Sequence, residues 1–303
     1  MLVLLGKGVW RCLKVVKLTT RVLCFFNCST ANRWELRRAQ KCDKMFLSDN
    51  INIVDTQTPI MVMVGPIDSG KTMVAYRLFN WLFNNGYRVE VDRAFRFDTA
   101  YSQFASHFGC NLYSPHLVNP PSLALYKVLD EIGNSILQVF DAVGEEWFDV
   151  GNHKKAITYS PQILQVINSP NKKIWVYLTE PGWQDVSCRQ SYEKSIQKLQ
   201  LHIGKKDEHI VLYNKIDKIY NCMLSSKKMI RMLDIEYPDL LNTFRNKNRI
   251  TSLFKTYYCA IIPFVTGSYM DNIDKQIVSC ASYYTAGPDE YPANLWNKIM
   301  KLK

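Results

Sequence analysis

The sequence lacks any stretch of 18 or more apolar residues free of charge, which excludes an ordinary membrane-spanning helix. It has no internal repeat and no low-complexity segment, and its apolar fraction of 47% is that of a globular chain. Wholesale disorder, collagen-like and coiled-coil classes are thereby excluded. Nine Cys are present, but none form the paired C-x₂-C knuckles of a zinc ribbon. Cys12, Cys24, Cys28 and Cys42 cluster near the N-terminus, while Cys110, Cys188, Cys222, Cys259 and Cys280 are scattered. They read as thiols of a reducing compartment rather than as staples, which a chain of this size does not need. The five histidines, His107, His116, His153, His202 and His209, form neither an H-E-x-x-H nor an H-x-x-E-H arrangement. No G-x-S-x-G nucleophile elbow appears. No acid precedes Glu35.

What is present begins with size and aromatics. A length of 303 residues fits one large domain or two small ones, and 17 Tyr, 14 Phe and 7 Trp promise a substantial core. The net charge of +11 is unevenly placed. Residues 1–50 hold ten Lys/Arg and three acids, a net of +7, which leaves only +4 for residues 51–303. The main body therefore gives no charge argument for nucleic-acid binding, and none is expected.

Residues 1–28 read as a helix. Lys7, Arg11, Lys14, Lys17 and Arg21 recur at steps of three and four and share one stripe, with Val, Leu, Trp and Phe on the rest of the surface. Such a helix suits an anionic membrane surface, where cations meet lipid phosphates and the apolar face enters the acyl boundary. A helix docked on its own domain, an import presequence and a misassigned start remain open alternatives. Residues 29–50 read as a linker, so the expected division is a basic arm and linker at 1–50 and one domain at 51–303. The expected location is the cytoplasm, with peripheral attachment to a membrane through residues 1–28 as an option.

Beyond the arm, short apolar runs alternate with helical patterns, the mark of an α/β sheet fold. Strands are expected at Pro59–Val64, Tyr87–Val91, Ile136–Phe140, Ile174–Leu178, His209–Tyr213 and, last, Tyr257–Val265. Helices are expected at Met73–Phe83, at Gln190–Leu201, over 222–255 with a break at Pro238, and at Ala293–Leu302. Residues 93–134 read as a long irregular insertion with a short helix near Leu123–Leu129, and 218–256 as a second insertion.

Three motifs carry chemistry. Gly65-Pro66-Ile67-Asp68-Ser69-Gly70-Lys71-Thr72 matches G-x-x-x-x-G-K-[ST] between an expected strand and an expected helix. Glycine lets the backbone curl so that N–H groups point at phosphate, and the following helix N-terminus adds positive partial charge. Lys71 is placed for the β- and γ-phosphates, and the Thr72 hydroxyl for Mg²⁺. The second motif is Asp141-x-x-Gly144, which follows the apolar strand Ile136–Phe140. Asp141 suits the Mg²⁺ shell, the Gly144 N–H suits the γ-phosphate, and Glu145 stands where a polar side chain would orient attacking water. The third is Asn214-Lys215-Ile216-Asp217, directly after His209–Tyr213. A carboxylate at Asp217 accepts from N1–H and the exocyclic amine of guanine, a donor pair that adenine lacks. Asn214 is placed to bond the N7 side of the base and to brace the loop, and the Lys215 stem stacks on the ring.

Together these motifs resemble the P-loop GTPases of the translation-factor-related (TRAFAC) class over residues 58–303. The Asp-x-x-Gly-Glu form and the length are also similar to bacterial double-GTPase proteins. The resemblance implies a three-layer α/β G domain with a mostly parallel sheet and one antiparallel edge strand. It implies Mg²⁺-dependent binding of GTP and GDP, hydrolysis of GTP to GDP and phosphate, and action as a switch on an effector protein. The resemblance also calls for a first-switch Thr over Mg²⁺ and γ-phosphate, for which Thr99 is the sole Thr candidate between Thr72 and Asp141. It calls for a Ser-Ala-Lys loop at guanine O6, where this chain has Thr266-Gly267-Ser268 and no Lys. Asp68 stands where Gly is often found, and a carboxylate there would slow hydrolysis or displace an activating Arg unless it faces solvent. Two other readings compete: a non-hydrolysing nucleotide-bound scaffold recruited to membrane, and a P-loop ATPase or kinase, which Asn214–Asp217 opposes.

Overall fold

The computed structural model describes residues 51–111, 121–148, 159–218, 225–247, 252, 256–270 and 283–303. The basic arm, with the cationic stripe expected to meet a membrane, lies outside the described residues.

A seven-stranded sheet organises the chain in the order β2-β3-β4-β1-β5-β6-β7. The strands are β1 (Ile60–Val64), β2 (Arg88–Val91), β3 (Leu123–Leu129), β4 (Ser135–Ala142), β5 (Lys173–Thr179), β6 (Glu208–Tyr213) and β7 (Ala260–Pro263). β1 pairs in parallel with β4 on one side and β5 on the other, so the chain order reverses about it. β5–β6 and β6–β7 continue the parallel ladder. A strand covered on both faces needs no alternation, and Ile60-Met61-Val62-Met63-Val64 is buried throughout.

Helices cover both faces. They are α1 (Lys71–Asn84), α2 (Thr99–Asn111), α3 (Gly144–Trp147), α4 (Pro161–Asn168), α5 (Val186–Leu199), α6 (Ser226–Glu236), α7 (Pro238–Thr243) and α8 (Glu290–Leu302). Side-chain register assigns the layers. Tyr126 is opposite Val139 and packs on Phe79 of α1 and Phe108 of α2, with ring centroids 4.8 and 5.1 Å away. Val62 registers against both Phe140 and Trp175, which therefore share the other face. There Trp147 of α3 meets both rings edge-on, and Phe244, just after α7, meets Tyr177. The result is the three-layer α/β arrangement expected.

Four expectations change. Leu123–Leu129 is a strand, not a helix: Leu, Ala and Lys favour helix in isolation, but six of its seven residues are buried between layers, and tertiary contact overrides propensity. This β3 is antiparallel to both neighbours, and β2 lies outside it, so the antiparallel strand is one place in from the edge. Part of the irregular stretch is helix α2, started by Asp98, whose Oδ1 accepts from the Tyr101 N–H at 2.9 Å. β7 is not the last strand, because β8 (Gly267–Met270) and β9 (Tyr283–Ala286) form a separate antiparallel pair after it. Helix α4 was also not foreseen; Ser160 caps it and Pro161 opens it.

The α1 layer bears much of the aromatic packing. Phe79 is fully buried among Tyr76, Phe108 and Tyr126. Phe79→Ala should lower stability by about 3–5 kcal/mol, read as the shift in a urea unfolding curve.

Candidate functional site

Every motif residue sits at the carboxyl edge of the parallel strands, where open α/β sheets take ligands. Gly65 follows β1, Asp141 is the penultimate residue of β4, Asn214 follows β6, and Thr266 lies just beyond β7. The phosphate-loop segment turns sharply. Asp68 and Gly70 both hold left-handed backbone, with φ 61° and 85°. Gly70 caps α1 without a side-chain hydrogen bond, and no acid lies in the first turn, so that turn's N–H groups carry no competing anion.

Lys71 is buried, and its Nζ donates to the carbonyls of Gly65 and Pro66, both at 2.9 Å. Burial pushes its pKa down, against the carboxylates of Asp141, Glu145 and Asp68. The ammonium is therefore poorly solvated, and a polyanion beside it would be strongly attracted. The Thr72 hydroxyl donates to Asp141 Oδ2 at 2.7 Å. Asp141 Oδ1 is buried without a hydrogen-bond partner. Burial raises the pKa of this carboxyl, while the Thr72 bond and Lys71 lower it. A buried carboxylate oxygen lacking a donor, next to a hydroxyl, is a hard-oxygen pair suited to a Mg²⁺ shell. Among the described residues no group of three or more His, Cys, Asp and Glu could hold a metal by itself.

Gly144 opens α3 against the phosphate loop. A Cβ there would lie 2.5 Å from the Ile67 nitrogen and 2.8 Å from the Pro66 carbonyl carbon. Only a glycine lets the two backbones approach so closely. Glu145 is exposed, next along the chain, and within electrostatic reach of Lys71.

The base-loop motif is tied to the phosphate loop. Asn214 is fully buried; its N–H donates to Thr179 O at 2.7 Å, and its Nδ2 donates to Ser69 O at 3.0 Å. A Cβ on Gly70 would lie 2.9 Å from that Nδ2. Lys215 has φ 56°, and its Nζ donates to Asp68 O at 2.7 Å. Asp217 is exposed in a 3₁₀ turn, Ile216–Lys218. Its charge reaches Tyr291, whose pKa is raised by burial first and by Glu290 and Asp217 after. Tyr291 packs on Phe264, at the end of β7. Thr266 and Gly267 follow. The Thr266 carbonyl accepts from Gly287 N–H at 3.2 Å and from the Tyr284 hydroxyl. Gly267 has φ 118°, and a Cβ would lie 2.2 Å from Thr285 O. These two residues thus open the β8–β9 pair. Arg77 of α1 secures the same end by donating to Gly287 O at 2.6 Å and pairing with Asp289.

The motif residues from Gly65 to Thr72, Asp141, Gly144, Glu145, Asn214 and Lys215 are thus brought together. Thr99 is not: it is exposed in the first turn of α2, and among the described residues no hydrogen bond links it to Lys71, Thr72 or Asp141. One residue that motif reading missed is Glu180. It directly follows β5 and precedes Pro181-Gly182, and it is buried and ion-paired to Lys215. A carboxylate two residues past the apolar run Ile174–Leu178 was the available signal.

No family model matches the chain, and no curated protein matches it. Solved structures with a similar arrangement include Methanosarcina barkeri Roco2 RocCORdC bound to GDP, at 13% identity and TM-score 0.34, covering 85% of this chain and 53% of that one. The chain thus spans about half the length of that protein. The nucleolar GTP-binding protein 1 of Plasmodium falciparum aligns at 12% identity and TM-score 0.33, over 72% of this chain and 81% of that one. A structure of the chloroplast translocon components atToc33 and psToc159 aligns at 13% identity and TM-score 0.43, over 82% and 83%.

Two glycines of opposite surroundings test the close approach at α3. Gly144→Ala should cost about 1–3 kcal/mol, because the new methyl overlaps immovable backbone. Gly109→Ala, in an exposed helical position with nothing within 4 Å, should instead stabilise by about 0.5–1 kcal/mol. Thermal melts of the two variants, compared with wild type, read both signs.

Proposed function

We propose that this chain binds a guanine nucleotide with Mg²⁺ and hydrolyses GTP to GDP and phosphate. The observation that carries the reading is the pair of hydrogen bonds joining the base loop to the phosphate loop, Asn214 to Ser69 and Lys215 to Asp68. They set the Asn-Lys-x-Asp segment beside a G-x-x-x-x-G-K-T loop at one sheet edge, so one nucleotide can span both. The spacing, strand context and geometry support the P-loop GTPase resemblance more than the ATPase or kinase reading. Asp217 is the reason, since a carboxylate at the base repels the acceptor edge that adenine would present.

Phosphates would lie on the N–H groups of the loop and of the first turn of α1. Lys71 would exchange its carbonyl partners for β- and γ-phosphate oxygens, with the gain of a desolvated cation meeting an anion. Thr72 and Asp141 fit Mg²⁺, which when bound offsets the charge of the phosphate oxygens. Gly144 would present its N–H to the γ-phosphate, and Glu145 would orient water for in-line attack on phosphorus. Asp68 adds a carboxylate whose charge reaches Lys71, which weakens the pull on phosphate and favours slow turnover. Thr266 and Gly267 would supply backbone contacts to the base. Thr99 enters only if the segment before α2 closes on the phosphate. The cycle would make the chain a switch for an effector protein. Among the described residues no helix is long and apolar enough to cross a membrane.

The base-reading claim is tested by Asp217→Asn. Guanine presents donors to this side chain, whereas the C2 carbonyl of xanthine requires a donor in return. A charge-assisted hydrogen bond is worth about 1.5–3 kcal/mol, so the GTP-to-XTP preference should shift by about tenfold or more toward XTP. Competition binding reads the ratio. A variant that prefers GTP as strongly as wild type would refute the role.

A further inference from the structure

Glu180 is a carboxylate that the chemistry above does not use. It follows β5, is 7% exposed, and has a backbone bracketed by one side chain. The Tyr237 hydroxyl donates to Glu180 O at 2.8 Å and accepts from Glu180 N–H at 3.4 Å. Tyr237 is itself buried at the joint between α6 and α7. Glu236, its neighbour, accepts from Gly182 N–H at 3.3 Å on the same β5–α5 connection. Two consecutive residues at the α6–α7 joint therefore fix the backbone on either side of Pro181.

With its backbone held, the Glu180 carboxylate pairs with Lys215 Nζ, and Lys218 Nζ lies 3.9 Å from the same oxygen. Burying a carboxylate is costly unless it is paired, so this one is committed to its lysine. Lys215 is correspondingly constrained. Its backbone is left-handed, which is unfavourable for a residue with a side chain, and its ammonium is held between Glu180 and Asp68 O. Fixing the head of a long side chain fixes its aliphatic stem, the part that would lie along a purine ring.

We propose that Glu180 is a positioning residue that holds the Lys215 stem in its base-stacking place, and that Tyr237 of the α6–α7 joint sets Glu180. The inference rests on the guanine-nucleotide reading above. It has a specific consequence. A stem packed on a ring face does not sense the groups at C2, so loss of Glu180 lowers affinity for every purine nucleotide this loop accepts in the same proportion. An Asp217 change instead alters the ratio between nucleotides.

The test measures affinity of the full chain for GTP, ITP and XTP by displacement of a fluorescent GDP analogue. The proteins are wild type, Glu180→Gln, Lys215→Met and the double variant. Glu180→Gln should weaken all three nucleotides by about tenfold, with their ratios kept. In the Lys215→Met background the same change should have no further effect, because its intermediary is gone. A nucleotide-free melting temperature accompanies each variant. If Glu180→Gln does not fold, Glu180→Asp keeps the charge, withdraws it by one methylene, and should weaken the three nucleotides in common proportion. Wild-type affinity in Glu180→Gln, an altered nucleotide ratio, or an undiminished penalty in the Lys215→Met background would each overturn the proposal. Failure of wild type to bind any of the three overturns the nucleotide reading itself, and this inference with it.

Discussion

Asn214 has no exposed surface, and its amide spans two loops that are 145 residues apart in sequence: the N–H holds to Thr179 O beside it, and Nδ2 holds Ser69 O across the site. The Nδ2 bond constrains both loops at once, while the Oδ1 of the same amide is buried without a hydrogen-bond partner. Gly70 is glycine partly because Asn214 is there, since a Cβ would lie 2.9 Å from its Nδ2. Lys215 repeats the tie one residue on, to Asp68. The reversal of strand order about β1 makes this possible, because it brings the ends of β1, β4, β5 and β6 to one edge.

Electrostatics at that edge follow from burial. Lys71 and Asp141 are both withdrawn from water, and each is pushed toward its neutral form by desolvation and held charged by its neighbours. Such a pair is poised for ligands that bring opposite charge, an anion to one and a cation to the other. Glu180 and Lys215 solve the same problem differently, by pairing with each other. Asp141 accepts from the Thr72 hydroxyl on one oxygen, and Glu180 is ion-paired to Lys215.

Much of this was legible in the residues. Buried parallel strands are short apolar runs, and β1, β5 and β6 read directly from Ile60–Val64, Ile174–Leu178 and His209–Tyr213. The phosphate and base loops read from their fixed spacing. β3 did not, because Leu-Ala-Leu-Tyr-Lys-Val-Leu has no alternation and good helix formers, and only its position between β2 and β4 makes it a strand. α2 was missed because Ser, His, Gly and Asn dilute its pattern, and its start depends on the single Asp98 cap. The pairing of Glu180 with Lys215 joins residues from two different strand ends, which no local pattern can express. Thr99 is singled out in the sequence only as the sole Thr between Thr72 and Asp141, and among the described residues no hydrogen bond joins it to the phosphate loop.

The central claim is that one nucleotide bridges the Gly65–Thr72 loop and the Asn214–Asp217 loop, and that its base is guanine. Calorimetric titration of the wild-type chain with GTP and with ATP, each with Mg²⁺, tests it most directly. The account predicts saturable one-site binding of GTP, and binding of ATP weaker by about a hundredfold or more, since adenine leaves the Asp217 carboxylate without its donors. Equal or tighter binding of ATP, or no binding of either nucleotide, would contradict it.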